Sequence, residues 1–217
     1  MVVRAQASKL AYLPVASFIQ HTASRSPTPG GGVVAALSGS LGASLLVMVC
    51  RLSAGKKSLE HLKEAMQARA EALMPLRDRL RDLVDLDAAA FDGVMAAYAL
   101  PAGDEVERSA REAALGVAYS AATEVPMEVA RLCLSGLEMA RPIAAEGVES
   151  ALSDAVVGGL ALHTGFHGAA YNVRINLASL PPGNLRQEAE EALGDWPSRA
   201  DALLAEIRAS VDERLSR

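Results

Sequence analysis

Aromatic side chains are scarce here, at 4% of 217 residues. A core with so few large rings has to be built from aliphatic and small side chains. Cysteine is nearly absent too. Cys50 and Cys133 stand apart from each other and from any ligand cluster, the pattern of a reduced, cytoplasmic chain. No basic block interrupts a net charge of −5 and a pI near 5.4. The basic stripe of a nucleic-acid binder is therefore missing. There is no β alternation of useful length, no tandem repeat and no low-complexity linker. Met1 to Leu10 carries positive charge without a long apolar stretch behind it, so it is not read as a secretory signal.

What is present favours helix. The hydrophobic class makes up 51% of the chain, much of it alanine, with few β-branched runs. We expect an all-α, single-domain chain over residues 1–217. A first helix is predicted from Pro14 to Ala23, then a loop to Gly32 and a helix from Gly32 to Ser53 ended by Gly55. A long amphipathic segment follows from Leu59 to Leu100, kinked at Pro75. After a turn at Pro101-Ala102-Gly103 comes Glu105 to Met139, kinked at Pro126. Arg141 to Gly147 reads as a connector. Ser150 or Ser153 is suited to cap a helix running to Asn172, and a charged helix fills Leu185 to Leu215. Val33 to Cys50 and Ala155 to Val173 carry no charge. The first reaches the length of a membrane span. It is rich in Gly, Ala and Ser and lacks aromatic anchors, and the second contains two histidines. Both are read as buried helices of an all-α core, not membrane spans. Two such helices in one modest chain, with small residues at Ala35, Gly39, Gly42 and Ala43, point to a homodimer.

Candidate chemistry begins at Asp87. Leu73, Leu76, Leu80, Leu83, Val84, Phe91 and Val94 recur at steps of three and four, one face of a helix. Asp87 falls on that stripe, while Asp85 points to roughly the opposite side. An acid on an apolar stripe is costly unless it is paired or protonated. It marks a functional carboxylate, or more plainly one that is partly exposed or paired with an Arg. Pro29, Gly30, Gly31 and Gly32 open an uncharged helix, where converging N–H groups suit an anion or the polar edge of a heterocycle. The plain alternative is a turn followed by tight helix packing. Lys56 and Lys57 steer an anion or complement a helix end. His163 and His167 share a helix face, but no third ligand is evident, so no metal is expected. Asn172, Arg174 and Asn176 cluster where an uncharged helix is predicted to end.

Together these blocks are more specific than any one of them. Ser26-Pro-Thr-Pro-Gly-Gly-Gly32, Gly55-Lys-Lys57, Asp85-Leu-Asp-Ala-Ala-Ala-Phe91, Glu124-Val-Pro126, Ser153-Asp154 and Tyr171-Asn-Val-Arg-Ile-Asn-Leu177 resemble the cyclodeaminase/cyclohydrolase family of folate enzymes. The chain departs from the family's pattern at Val33, Ala54 and Val148. The resemblance implies an all-helical homodimer acting on a one-carbon tetrahydrofolate, in the stand-alone form. It further implies Asp87 as proton acceptor, with Pro29, Gly30, Gly31, Gly32, Lys56, Lys57, Asp154, Asn172, Arg174 and Asn176 toward substrate. No cofactor, nucleic acid or membrane is implied. Three activities stay open: hydrolysis of 5,10-methenyltetrahydrofolate, ring closure of 5-formiminotetrahydrofolate with loss of ammonia, and folate binding without turnover.

Overall fold

A small-residue seam decides how the helices meet. A computed structural model describes residues 9–216, and most of the Met1–Leu10 segment discussed above lies outside them. Six α-helices follow in order: α1 (Val15–Thr22), α2 (Gly31–Ala54), α3 (Lys63–Tyr98), α4 (Glu105–Glu146), α5 (Leu152–Leu177) and α6 (Asn184–Leu215). Short 3₁₀ turns sit at Leu10–Tyr12, Lys57–Leu62 and Glu149–Ala151, and no strand occurs among the described residues. Helices α2 and α5 run antiparallel and touch backbone to backbone. A Cβ on Gly42 would stand 2.6 Å from the Gly158 carbonyl, and one on Gly158 would stand 3.1 Å from that of Gly42. Only glycine permits that approach, so this crossing is written in two residues.

Around the seam, Leu46, Leu73, Leu80, Leu83, Leu137, Leu162, Phe166 and Ile207 are fully buried in one cluster fed by α2 to α6. Helix α2 is the one described helix with the length and apolarity to cross a membrane. Its inner side is packed against α3, α4 and α5. Its outer side is apolar and open: Val34, Leu41, Met48 and Leu52 are 37, 56, 38 and 50% exposed. Buried polar groups inside the bundle are paired. The Ser53 hydroxyl donates to the Val49 carbonyl at 2.7 Å and accepts the Val148 N–H at 2.9 Å.

Several boundaries differ from the sequence reading. Pro14 immediately precedes α1 instead of lying in its first turn. Lys57–Leu62 forms a separate 3₁₀ turn before α3, which then runs unbroken through Pro75. The predicted connector from Arg141 to Gly147 is helix as far as Glu146, with Gly147 extended at its C-cap. Pro142 lies within α4, whose next residues Ile143 and Ala144 are fully buried, so tertiary packing outweighs the lost backbone bond. Carbonyls at that end are taken by Arg214, whose guanidinium donates to Ala144 at 2.8 Å and Gly147 at 2.6 Å. Neither Ser150 nor Ser153 caps α5, which starts at Leu152 from an Ala151 cap and continues to Leu177. Asn172, Arg174 and Asn176 therefore lie inside its last turns, not beyond its end.

Candidate active site

The antiparallel hairpin of α2 and α3 brings Asp87 over the first turn of α2. Gly30 precedes that helix in an extended conformation and has no side chain to cap it. Asp87 does so from α3, accepting the Val33 N–H. The first turn of a helix has unpaired N–H groups and a partial positive charge, so a carboxylate is welcome there. Gly32 makes the approach possible, because a Cβ at that position would overlap the Asp87 carboxylate. Burial nevertheless dominates. It pushes the Asp87 carboxyl up to about 6, with the Val33 bond pulling the other way. The contact with Val33 is through its backbone, so the departure from the family's pattern at that position leaves this bond available. Asp85, on the other side of α3, accepts the Leu10 N–H at 2.6 Å and ties down the N-terminal segment.

Asp87 lines a cleft of about 270 Å³ between α3, α4 and α5, with Phe91 and Val94 as its apolar wall and Tyr119, Asn172 and Asn176 as its polar one. Pockets for drug-sized ligands span ~300–1,000 Å³, so this cleft suits one end of a larger molecule. Asn172 and Asn176, four apart on α5, share the face toward it. Asn172 donates to the Gly168 carbonyl at 2.8 Å. Asn176 donates to the Ala122 carbonyl at 2.6 Å. That second bond has a sequence origin. Pro126 has no N–H to give to the carbonyl four residues earlier, and Asn176 replaces it. Arg174 turns away from this face and lies over the Tyr171 ring, 5.4 Å from its centroid.

Arg174 apart, the sequence-predicted residues thus fall into two groups. Pro29, Gly30, Gly31, Gly32, Asp87, Asn172 and Asn176 meet at the cleft end. A Cβ on Gly31 would rest 3.7 Å from the Asn172 amide nitrogen, so this glycine borders the cleft. Lys56, Lys57 and Asp154 lie at the far ends of α2 and α5. At 1.5 Å per residue the 24 residues of α2 span ~36 Å. Within one chain they do not reach Asp87. The lysines are exposed beside a separate, larger concavity of about 590 Å³ with Arg51 and Lys63 on its walls.

Sequence reasoning passed over Tyr119 and Phe91 as site residues. Tyr119 meets the exposed Tyr98 at 3.0 Å between hydroxyls, their rings edge to face. The available signal was scarcity itself: this pair takes two of only four tyrosines in the chain.

Known proteins share both the sequence pattern and the shape. The model of the formiminotransferase-cyclodeaminase family matches residues 14–194. The chain is 35% identical over 202 residues to methenyltetrahydrofolate cyclohydrolase of Methylorubrum extorquens, covering 93% of this chain and 97% of that protein. It is 31% identical over 198 residues to formimidoyltransferase-cyclodeaminase of Rattus norvegicus, spanning only 37% of that longer protein. The crystal structure of formiminotetrahydrofolate cyclodeaminase from Thermotoga maritima superposes with a TM-score of 0.82 at 27% identity, over 94% of this chain and 98% of that one.

Proposed function

This chain belongs to the formiminotransferase-cyclodeaminase family, and on that premise we propose that it hydrolyses 5,10-methenyltetrahydrofolate to 10-formyltetrahydrofolate with Asp87 as general base. The observation that carries the reading is a half-buried carboxylate lining a cleft with polar and apolar walls, its pKa pushed up to about 6 by burial. At neutral pH such a group is mostly ionised and still basic enough to take a proton. Asp87 accepts one from the water that attacks the methenyl carbon. It returns that proton to N5 as the ring C–N bond opens, and the remaining hydroxyl proton of the adduct leaves to solvent as the formyl C=O forms. The substrate is already a cationic electrophile, so the step needs no redox cofactor. A relative named as a cyclohydrolase, matched over nearly its full length, favours this activity.

The cyclodeaminase reading has its own support in the Thermotoga neighbour, also matched over nearly its full length. There Asp87 would take the N10 proton during ring closure and assist departure of ammonia. Absorbance assays of methenyltetrahydrofolate loss and formation, run on the two substrates, decide between them. Loss alone supports the hydrolase, and formation with ammonia release supports the lyase. Folate binding with neither would overturn both and leave a binding protein of the same fold.

The proposal includes a homodimer in the cytoplasm. Val34, Leu41, Met48 and Leu52 on α2, with Val157 and Leu160 on α5, form an open apolar face on the two uncharged helices. A second copy related by a two-fold axis covers such a face with itself. An axis crossing the middle of α2 sets the two α2 helices antiparallel. The glycine end of one then meets the lysine end of the other. Lys56 of the partner subunit and Lys57 of the partner subunit would come within reach of the cleft, suited to the glutamate tail of folate. That arrangement gives the two separated groups of site residues one location.

A further inference from the structure

His163 and His167 are four residues apart on α5, and both Nε2 atoms converge on the same Oδ1 of Asp201 from α6, at 2.7 and 2.8 Å. The third donor that the sequence does not announce lies 38 and 34 residues further on, and only the antiparallel packing of α5 and α6 supplies it. The two rings lie 4.4 Å apart between centroids, and Phe166 backs His167 edge-on at 5.1 Å. Both histidines are half-buried and Asp201 is exposed, so the cluster is supported from within and open to solvent on one side. None of the three lines the cleft that holds Asp87.

We propose that His163, His167 and Asp201 form a binding site for a divalent transition metal of the zinc, cobalt or nickel type, clipping α6 to α5. Imidazole nitrogens and one carboxylate suit these ions, whereas magnesium and calcium prefer all-oxygen sites. The three ligand atoms lie within 4.8 Å of one another. Around a tetrahedral ion with bonds of ~2.0 Å, ligand atoms sit ~3.3 Å apart. The Asp201 oxygen therefore has to withdraw by about half an ångström from each nitrogen, and the two nitrogens, within 4.8 Å of each other, have to close toward that spacing by rotation of the half-buried rings. With the metal-free carboxylate accepting, each Nε2 carries its proton. Ligation shifts that proton to Nδ1 through solvent and frees the Nε2 lone pair for the metal, with no net change in ring charge. Water completes the coordination on the open side. The gain falls where the fold is thin, since α6 buries only six of its 32 residues.

The test is a titration of the full chain with Zn²⁺ and with Mg²⁺, followed by calorimetry and thermal denaturation. The expected result is one Zn²⁺ per chain. At a hundredfold excess over the dissociation constant, Tm should rise by about 5–10 °C. Mg²⁺ should give no shift. His163→Gln and His167→Gln should each weaken Zn²⁺ binding at least tenfold, and Asp201→Asn should also weaken it. These positions lie outside the Asp87 cleft, so folate turnover in the variants reports on folding. Zn²⁺ binding that survives in the double glutamine variant, an equal response to Mg²⁺, or no Zn²⁺ binding by the native chain would overturn the assignment.

Discussion

Replacing Asp87 by Asn removes a charge while keeping the side-chain shape and an oxygen that accepts the Val33 N–H. In the native chain burial raises the Asp87 carboxyl from 3.8 to about 6, a little over two units. At 1.36 kcal/mol per unit, ionised Asp87 costs the fold roughly 3 kcal/mol. Because its folded pKa is raised, the native state holds the proton over a range where the unfolded chain has lost it. Stability therefore falls as pH climbs from about 4 through 6 and is flat above. Most of the native-state deprotonation occurs between pH 5 and 8. That interval contains about one unit of the shift, or ~1.4 kcal/mol. In a chain of this size each kcal/mol moves Tm by ~2–4 °C. Asp87→Asn should accordingly gain ~3–6 °C on the native chain when the pH is raised from 5 to 8, while its turnover falls by roughly a hundredfold or more. Thermal melts of both proteins at the two pH values, with turnover measured alongside, provide the check. A Tm difference that does not change with pH refutes the buried-carboxylate argument. Unchanged turnover refutes the general base.

Other substitutions separate packing from chemistry. Asp85→Asn should leave turnover within a few-fold of native, since that carboxylate holds the Leu10 N–H and not the cleft, and a loss matching that of Asp87→Asn would contradict the division of labour. Gly31→Val places its side chain against Asn172 at the cleft rim, so folate affinity should drop with little change in Tm; a destabilised protein with normal affinity would make the loop structural. Gly32→Ala puts a methyl group where the Asp87 carboxylate sits, so both stability, by ~1–3 kcal/mol, and turnover should suffer, and a neutral result in melts and assays would mean that the contact is not close. Leu41→Asp with Met48→Asp charges the open face of α2, and light scattering should then report the 22.6 kDa monomer in place of a dimer; an unaltered dimer would place the interface elsewhere.

Periodicity and composition alone determined much of this protein. The all-helical class follows from alanine and leucine at steps of three and four. The inward position of Asp87 follows from the same stripe, because a helix maps spacing onto direction. The start of α2 at the glycines was legible for a related reason, since glycine runs and uncharged stretches are local properties. The boundaries that failed were those set at a distance. Helix α4 passes through Pro142 because Ile143 and Ala144 are buried by other helices, and α5 extends beyond Asn172 although the apolar run ends there. Tertiary structure alone decided which residues face each other. It made Gly32 the floor under Asp87 and gave Asn176 the carbonyl that Pro126 leaves without a donor. It joined Asp201 to a histidine pair that had no visible third partner. It also divided the family's motif residues between two ends of the bundle. A linear pattern records order along the chain, but a helix of ~36 Å separates what order suggests is near, and only the crossing of helices determines what meets.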